Sequence, residues 1–201
     1  MAIAYLGLGT NIGNKRRNMI TAAALLAERV GDILALSGFY ETEPWGFESE
    51  NFFLNAAVKL KTSFSPLELL RITQRIEKEL GRAEKSSGVY HDRIIDIDIL
   101  LYEDEVLQIP ELTLPHPLMH ERKFVMEPLA EIAPFVVHPV LKERIIDLKE
   151  RLLNDFEKIL TGGGMVFKKK GKDENAGEKK IKFSDFLRGT HKSGAAKMRA
   201  E

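Results

Sequence analysis

The chain has 201 residues, of which 44% are hydrophobic and 30% are charged, and its formal net charge is zero. These proportions are typical of a globular domain, and no apolar run approaches the roughly 20 residues that a membrane helix needs. Because the sequence contains no cysteine, disulfides, thiolate zinc sites and cysteine nucleophiles are excluded, and we expect a cytoplasmic location.

The first part of the chain predicts alternating strands and helices. Residues 2–8 predict a strand that leads into a glycine-containing turn, and apolar residues at helical spacing predict a helix from about Asn14 to Gly31. The glycines match neither the dinucleotide-binding nor the Walker pattern, so they indicate a tight turn. Residues 33–41 and 52–60 predict two further strands, joined by an extended loop.

The strand over residues 52–60 has one apolar face, and its other face carries Phe53 and Asn55. An aromatic ring beside an amide suits a planar heterocycle, because the ring can stack on it and the amide can pair with its edge. An ordinary solvent-exposed face explains the same pattern equally well.

A helix is predicted to begin at Ser65, where a serine, a proline and a glutamate form a capping sequence with proline in the first helical position. Its apolar stripe ends at Gly81. Gln74 and Glu77 flank this stripe as neighbours on the helix surface. They could face a ligand, although exposed polarity is the commoner interpretation. The polar segment 82–92 that follows predicts a mobile lid.

The next strand alternates strictly, with isoleucines on one face and Asp96 and Asp98 on the other. Two carboxylates roughly 6–7 Å apart on one strand face can bind one divalent cation or each hold one of a pair. A solvated strand face is the alternative. Arg93 precedes the strand, and His116 lies downstream between two prolines that restrict the backbone. Together, these groups favour a metal-bound polyphosphate as ligand.

The remainder of the chain predicts a hairpin over residues 102–107 and helices over residues 123–132 and 142–158. The composition then changes. Residues 161–201 contain 11 Lys and Arg against five Asp and Glu, a net charge of +6. We predict a folded domain over residues 1–160 and a flexible basic tail over residues 161–201, whose role the sequence does not indicate.

Five motifs in this order resemble those of the 6-hydroxymethyl-7,8-dihydropterin pyrophosphokinase family over about residues 2–160. They are Gly9-Thr10-Asn11, Phe53 to Ala57, Gln74 to Arg82, Arg93 to Leu100, and Leu114 to Arg122. The resemblance implies a ferredoxin-like α+β fold, in which a mainly antiparallel sheet and packed helices form an α/β sandwich. It also implies transfer of the terminal diphosphate of ATP to the pterin hydroxymethyl group, with release of AMP, in folate biosynthesis.

Carried over residue by residue, the resemblance implies two Mg²⁺ ions held by Asp96 and Asp98. The residues that it places around ATP are Gln74, Glu77, Arg93, Ile99, Thr113, His116 and Arg122. Those that it places around the pterin are Thr42, Pro44, Trp45, Phe53, Asn55, Tyr90 and Phe124. The catalytic groups that it implies are Arg93, Asp96, Asp98, His116 and Arg122.

The chain departs from the resemblance at three places. Glu84 stands where many members have a phosphate-binding arginine, and Pro117 occupies a position that is tyrosine in some. The run Val89-Tyr90-His91-Asp92 replaces a common Arg-Trp-Gly-Pro sequence. These departures leave open how the segment 82–92 closes and which base assists product release.

Two other interpretations of the residues remain. Asp96 and Asp98 also suit a two-metal nuclease or phosphatase that needs no pterin. The lysines of the tail suit a nucleic-acid-binding module, although a solvated tail is the simpler interpretation and a nucleic acid is not expected. The expected partners are therefore ATP and the pterin, without a membrane, and the oligomeric state is not indicated.

Overall fold

An antiparallel sheet forms the centre of the computed structural model, which describes residues 1–44, 46, 49–82 and 92–162, the last seven by their backbone. Its strands are β1 (Ala2–Thr10), β2 (Gly31–Leu36), β3 (Tyr40–Thr42), β4 (Phe53–Thr62) and β5 (Asp96–Tyr102). Their order is β2-β4-β1-β5, and β3 pairs with a different part of β4. A separate two-stranded sheet consists of β6 (Leu107–Ile109) and β7 (Leu112–Leu114).

Within the described part of the chain, four helices cover the two faces of the large sheet. They are α1 (Lys15–Arg29), α2 (Pro66–Glu79), α3 (Lys123–Ile132) and α4 (Ile145–Gly162), and a 3-10 turn (Met119–Glu121) precedes α3. Helices α1 and α2 contribute to one buried apolar cluster, and α3 and α4 contribute to a second cluster. The order of strands and helices from β1 to β5 confirms the predicted ferredoxin-like sandwich.

The predicted helix boundaries follow from local capping. Asn14 caps α1 by accepting a hydrogen bond from the backbone N–H of Arg17 at 3.0 Å. The Ser65 N–H donates to the Glu68 carboxylate at 2.8 Å, and both halves of the capping box are formed at the start of α2. Gly81, with a φ of 98°, follows α2 in a backbone conformation that favours glycine.

The single strand predicted over residues 33–41 is wrong, because the chain forms β2 and β3 with a break between them. At this break Ser37 is buried, and its hydroxyl accepts a hydrogen bond from the Ala57 N–H at 2.8 Å. The Ser37 hydroxyl also donates to the carbonyl oxygen of Gly38 at 2.8 Å. The Ser37 side chain therefore replaces a backbone acceptor in the hydrogen bonding to β4, and the regular pairing of β2 with β4 ends there.

The hairpin predicted over residues 102–107 is only a turn, in which the Glu105 N–H donates to the Tyr102 carbonyl at 3.0 Å. The paired strands of the hairpin come later, because β6 pairs with β7. Helix α4 begins three residues after its predicted start and continues to Gly162, two residues past the predicted boundary at 160. None of the described helices is long and apolar enough to cross a membrane.

Three predictions concern residues outside those that the structure describes. The segment predicted as a lid is described only at Arg82 and Asp92, so Tyr90 lies outside. Trp45 also lies outside, as does the tail from residue 163 onward. The lid, these two aromatic residues and the flexibility of the tail therefore stay predictions.

Candidate functional site

The candidate site extends across neighbouring strands of the large sheet. Asn55 on β4 is the register partner of Gly9 on β1, and Gly9 in turn is the partner of Asp96 on β5. One row along, Gly7 is the partner of Asp98. Register partners in a sheet project to the same face. The two glycines therefore leave a groove in that face between Asn55 and the carboxylates.

A Cβ atom at Gly9 would lie 3.3 Å from Oδ1 of Asn55, closer than most side-chain contacts. At Gly7 the nearest atom to such a Cβ would be Cδ2 of Leu100, at 3.4 Å, which is an ordinary contact. Glycine at position 9 therefore keeps the Asn55 amide and the floor of the groove accessible. The sequence signal for this floor was the alternation of Gly7 and Gly9 along a strand, which had been interpreted only as part of a turn.

The first cleft opens over this groove and has an empty volume of about 710 Å³, part of it open to solvent. Residues of β1, β3, β4, β5 and the start of α3 line it. Eight of the predicted site residues are among them: Thr42, Phe53, Asn55, Arg93, Asp96, Asp98, Arg122 and Phe124. Residues distant in sequence thus meet in one place, on the sheet face that α3 covers.

The described residues predicted to contact the pterin include a polar pair and an aromatic ring in the first cleft. Asn55 is 5% exposed, and its side-chain N–H donates to the Thr42 hydroxyl at 2.8 Å. Phe53 is also buried, and the guanidinium carbon of Arg93 lies 5.4 Å from its ring centroid, within the range of a cation–π contact. An ordinary solvent face on β4, the alternative interpretation, is therefore wrong.

Two arginines converge on Asp96. Arg93 donates to Oδ2 of Asp96 at 2.5 Å, and Arg82 pairs with the other carboxylate oxygen. Arg82 also pairs with Glu77 at 2.5 Å. Burial opposes the charge of Arg82, but the two carboxylates outweigh that effect and raise the pKa of the guanidinium above its ordinary value. The site therefore holds fixed positive charge directly beside the predicted metal ligand.

Glu77 is 2% exposed, which corrects its interpretation as ordinary surface polarity. Besides the ion pair with Arg82, its Oε1 accepts a hydrogen bond from the Ile97 backbone N–H at 2.8 Å. Strand β5 is at the end of the strand order and pairs with β1 on one side. Glu77 therefore satisfies a backbone donor on the outer side of β5, the strand that carries both aspartates.

A second cleft lies on the other side of Asp98 and has an empty volume of about 590 Å³, including open solvent. Three predicted ATP residues line it, namely Ile99, Thr113 and His116, together with apolar residues of β7 and its neighbours. Asp98 lines both clefts. Nε2 of His116 lies 4.0 Å from Oδ2 of Asp98, at the boundary between the two clefts.

Several of the predicted site residues line neither of the two clefts. Of the described residues, Pro44, Gln74 and Glu77 line neither cleft. Gln74 is partly exposed on α2. The sequence analysis also missed residues that support the site, notably Arg82, Asn11 and Asp92. Arg82 directly follows the glycine that ends α2, and Asn11 directly follows β1, but neither position by itself indicated a role.

The donor set at the cleft boundary fits Mg²⁺, although the described residues contain no group of three or more acidic, histidine or cysteine side chains that could hold a metal. Asp96 and Asp98 both reach the first cleft from one strand face. Mg²⁺ prefers oxygen ligands and keeps several waters, so two carboxylates together with substrate phosphates are sufficient.

Comparisons with known proteins identify a family and several relatives. The family model described as 7,8-dihydro-6-hydroxymethylpterin-pyrophosphokinase (HPPK) matches residues 5–134. A 2-amino-4-hydroxy-6-hydroxymethyldihydropteridine pyrophosphokinase of Porphyromonas gingivalis is 55% identical over 141 residues, which cover 69% of this chain and 95% of the relative. The pyrophosphokinase of the same name from Aquifex aeolicus is 43% identical over 157 residues, 78% of this chain and 96% of the relative.

Solved structures show the same fold. The crystal structure of Plasmodium falciparum HPPK-DHPS with pteroate superposes with a TM-score of 0.66 at 19% sequence identity. The match covers 80% of this chain and 44% of that chain, so this chain spans less than half the length of that protein. At this identity the likeness concerns the fold alone.

Proposed function

The chain belongs to the 7,8-dihydro-6-hydroxymethylpterin-pyrophosphokinase family, and from this premise we propose how its two clefts divide the substrates. The protein transfers the terminal diphosphate of ATP to the hydroxymethyl group of 6-hydroxymethyl-7,8-dihydropterin, in folate biosynthesis, and releases AMP. The observation that supports the division is that Asp98 lines both clefts. Two substrates that react with each other must meet at a shared boundary.

The first cleft is the proposed pterin site. The Phe53 ring offers a stacking surface, and the Asn55 amide is held by Thr42, so that its oxygen is directed along the groove above Gly9. Phe124, at the start of α3, lines the same cleft. We include Pro44, Trp45 and Tyr90 in the pterin site as predictions.

The second cleft is the proposed site of the ATP base and ribose. Ile99 and Thr113 line it, and its lining combines apolar side chains with polar groups, which suits a purine ring and the hydroxyl groups of a ribose. His116 lies where the phosphates would pass toward the first cleft, and Arg93 and Arg122 line that first cleft. Gln74 stays a predicted ATP contact. We assign Glu77 a supporting role, because it holds Arg82 and the outer edge of β5.

Asp96 and Asp98 are the proposed Mg²⁺ ligands, with two ions expected. When bound, the metal supplies positive charge to the phosphates and orients their oxygens. In the substrate-free protein Asp96 is held by Arg82 and Arg93. The two arginines thus fix the position of the carboxylate at the cleft.

In the transfer itself, the pterin hydroxymethyl group releases its proton, its oxygen forms a bond to the β-phosphorus, and the bond from that phosphorus to the oxygen of AMP breaks. Catalysis of this kind depends mainly on positioning and on stabilisation of charge. In this proposal Arg93 and Arg122 donate hydrogen bonds to the phosphate oxygens from the first cleft, and His116 donates from the second. The stacked pterin is held in the neighbouring cleft.

We expect the reaction to take place in the cytoplasm. We expect the catalytic domain to comprise residues 1–160, and the basic segment 161–201 to be a flexible tail of unassigned role. None of the residues assigned to a substrate lies beyond Phe124.

The division of the clefts is tested by simultaneous binding. The wild-type chain is titrated with α,β-methylene-ATP, which cannot transfer its diphosphate, in MgCl₂ with and without saturating pterin. We expect one equivalent of each ligand to bind to the same molecule. If the pterin displaces the analogue competitively, the two ligands share one cleft and the proposed division is wrong.

A further inference from the structure

A single carboxylate, that of Asp92, joins three separate segments beside the first cleft. Its Oδ1 accepts hydrogen bonds from the Asn11 side chain at 2.6 Å and from the Ser49 hydroxyl at 2.7 Å. Its Oδ2 accepts one from the Asn51 side chain at 2.7 Å. Ser49 and Asn51 immediately precede β4, Asn11 follows β1, and Asp92 itself precedes β5. The contacts therefore connect the ends of three strands that form the site.

Asn11 links Asp92 to Arg93, which lines the first cleft. Asn11 is 2% exposed, and its side-chain oxygen accepts a hydrogen bond from the Arg93 backbone N–H at 2.7 Å. The Asn11 backbone N–H donates to the Arg93 carbonyl at 3.1 Å. Arg93 is thus fixed through its backbone, while its guanidinium reaches Asp96 and lies over the Phe53 ring.

The chemistry of this contact depends on an ionised carboxylate. Donated hydrogen bonds, that from Ser49 foremost, lower the pKa of Asp92 below its ordinary value. A carboxylate accepts at both oxygens, whereas an amide or a methyl group in its place cannot accept from all three donors. Asp92 is exposed, so its removal leaves no cavity in the core.

We propose that Asp92 is a positioning residue that holds residues 49–51 against Asn11, and so keeps Phe53 beneath the Arg93 guanidinium. Residues 49–51 lead directly into Phe53, the first residue of β4. When the carboxylate is removed, the entry to β4 separates from Arg93 and the pterin side of the site loosens. The ATP side keeps its contacts with β7 and His116. The expected loss of pterin affinity rests on the proposed function. The expected increase in motion of residues 49–51 in the substrate-free protein does not.

The first test uses the substrate-free protein. Trp45 is the only tryptophan in the sequence, four residues before Ser49, so its fluorescence reports on this segment. In Asp92→Ala we expect the acrylamide quenching constant to rise about two-fold, because the segment loses charge-assisted hydrogen bonds that restrict its motion. Asp32→Ala, an exposed aspartate on edge strand β2, is the matched control. If both variants show the same quenching, the proposal is overturned.

The second test is a double-mutant cycle in turnover. In Asp92→Ala we expect the pterin KM to rise about five-fold to ten-fold, the ATP KM to stay within about two-fold, and the melting temperature to stay close to that of the control. Ser49→Ala combined with Asn51→Ala should add little to Asp92→Ala, because both changes break the same contacts. Fully additive effects, or equal increases of both KM values, would overturn the proposal. A wild-type chain without pterin-dependent turnover would instead contradict the proposed function and leave the quenching result intact.

Discussion

Asp98 and His116 approach each other where the two clefts meet, with Nε2 of the imidazole 4.0 Å from a carboxylate oxygen. The backbone explains why they meet. The His116 N–H donates to the Leu100 carbonyl on β5 at 2.9 Å, and Asp98 is two residues earlier on that strand. The proposed metal ligand and the proposed phosphate-binding donor are thereby held side by side, as the proposed transfer between two clefts requires.

Removal of the Asp98 charge should abolish most turnover without unfolding the chain. In Asp98→Asn we expect kcat to fall by at least about 100-fold, the scale on which preorganised charge stabilisation acts. The side chain is partly exposed and lines both clefts, so the core should be unaffected. The measurement is kcat across a MgCl₂ titration together with the melting temperature. Asp104→Asn, exposed in the turn after β5, is the control. Near-native turnover of Asp98→Asn at ordinary magnesium would refute its role as a ligand.

Loss of the Asn55 amide should weaken pterin binding selectively. In Asn55→Ala we expect pterin affinity to fall by roughly 1–3 kcal/mol, because ligand groups are left without partners. The affinity for α,β-methylene-ATP should not change, and calorimetry with each ligand measures both. Thr42→Val removes the same internal hydrogen bond but retains the amide, so its effect should be smaller. Equal losses for the two ligands in Asn55→Ala would show that the amide does not select the pterin.

A methyl group on the floor of the groove should obstruct the pterin. The Cβ of Gly9→Ala would lie 3.3 Å from the Asn55 oxygen, so the amide must shift by a few tenths of an ångström to admit the methyl group, at a cost to its alignment with the ligand. We expect this cost to appear as a higher pterin KM with an unchanged ATP KM. Gly7→Ala is the matched control, since its Cβ would make an ordinary contact with Leu100. If both variants raise the pterin KM equally, Asn55 is not the group that Gly9 keeps accessible.

His138 should make the fold less stable in mild acid. Its ring is buried, and Nδ1 accepts hydrogen bonds from the backbone N–H groups of Val140 and Leu141, at 3.3 and 3.1 Å. Burial, followed by the nearby His120, lowers the pKa of His138 in the folded state. Below about pH 6.5 the unfolded chain therefore binds more protons than the folded chain, and the free energy of unfolding falls as the pH falls.

The variant His138→Asn keeps an acceptor oxygen but cannot take up a proton in this range. Urea unfolding between pH 7 and pH 5 should show a steeper loss of unfolding free energy for the wild type than for His138→Asn. Parallel curves would assign the acid sensitivity to other groups.

Much of the fold was predictable because its signals are local. The capping sequence at Ser65 and the alternation through Asp96 and Asp98 each lie within a few residues, and the corresponding helix and strand form as predicted. The break at Ser37 was not predictable, because its cause is a hydrogen bond to Ala57 on another strand.

The site, like the fold, contains contacts between distant residues that local sequence patterns do not predict. The sequence indicated the two aspartates, Phe53 and Asn55 through their strand faces. It did not indicate that Arg82 would pair with Asp96. It also did not indicate that the Asp92 carboxylate would accept hydrogen bonds from residues 41 to 81 positions away in the chain. Such contacts depend on which strands become neighbours, and strand order is a property of the whole chain. The contribution of Arg82 to the positive charge beside Asp96 therefore became visible only in the folded structure.

The central claim is diphosphate transfer to the pterin, and the products of a single reaction test it most directly. The purified chain is incubated with ATP, MgCl₂ and 6-hydroxymethyl-7,8-dihydropterin, and nucleotides and pterins are separated and quantified. We expect AMP and the pterin diphosphate to appear in equal amounts, and no AMP to form when the pterin is omitted. ADP as the nucleotide product, or AMP formation that does not depend on the pterin, would contradict the account and favour phosphate-ester hydrolysis at Asp96 and Asp98.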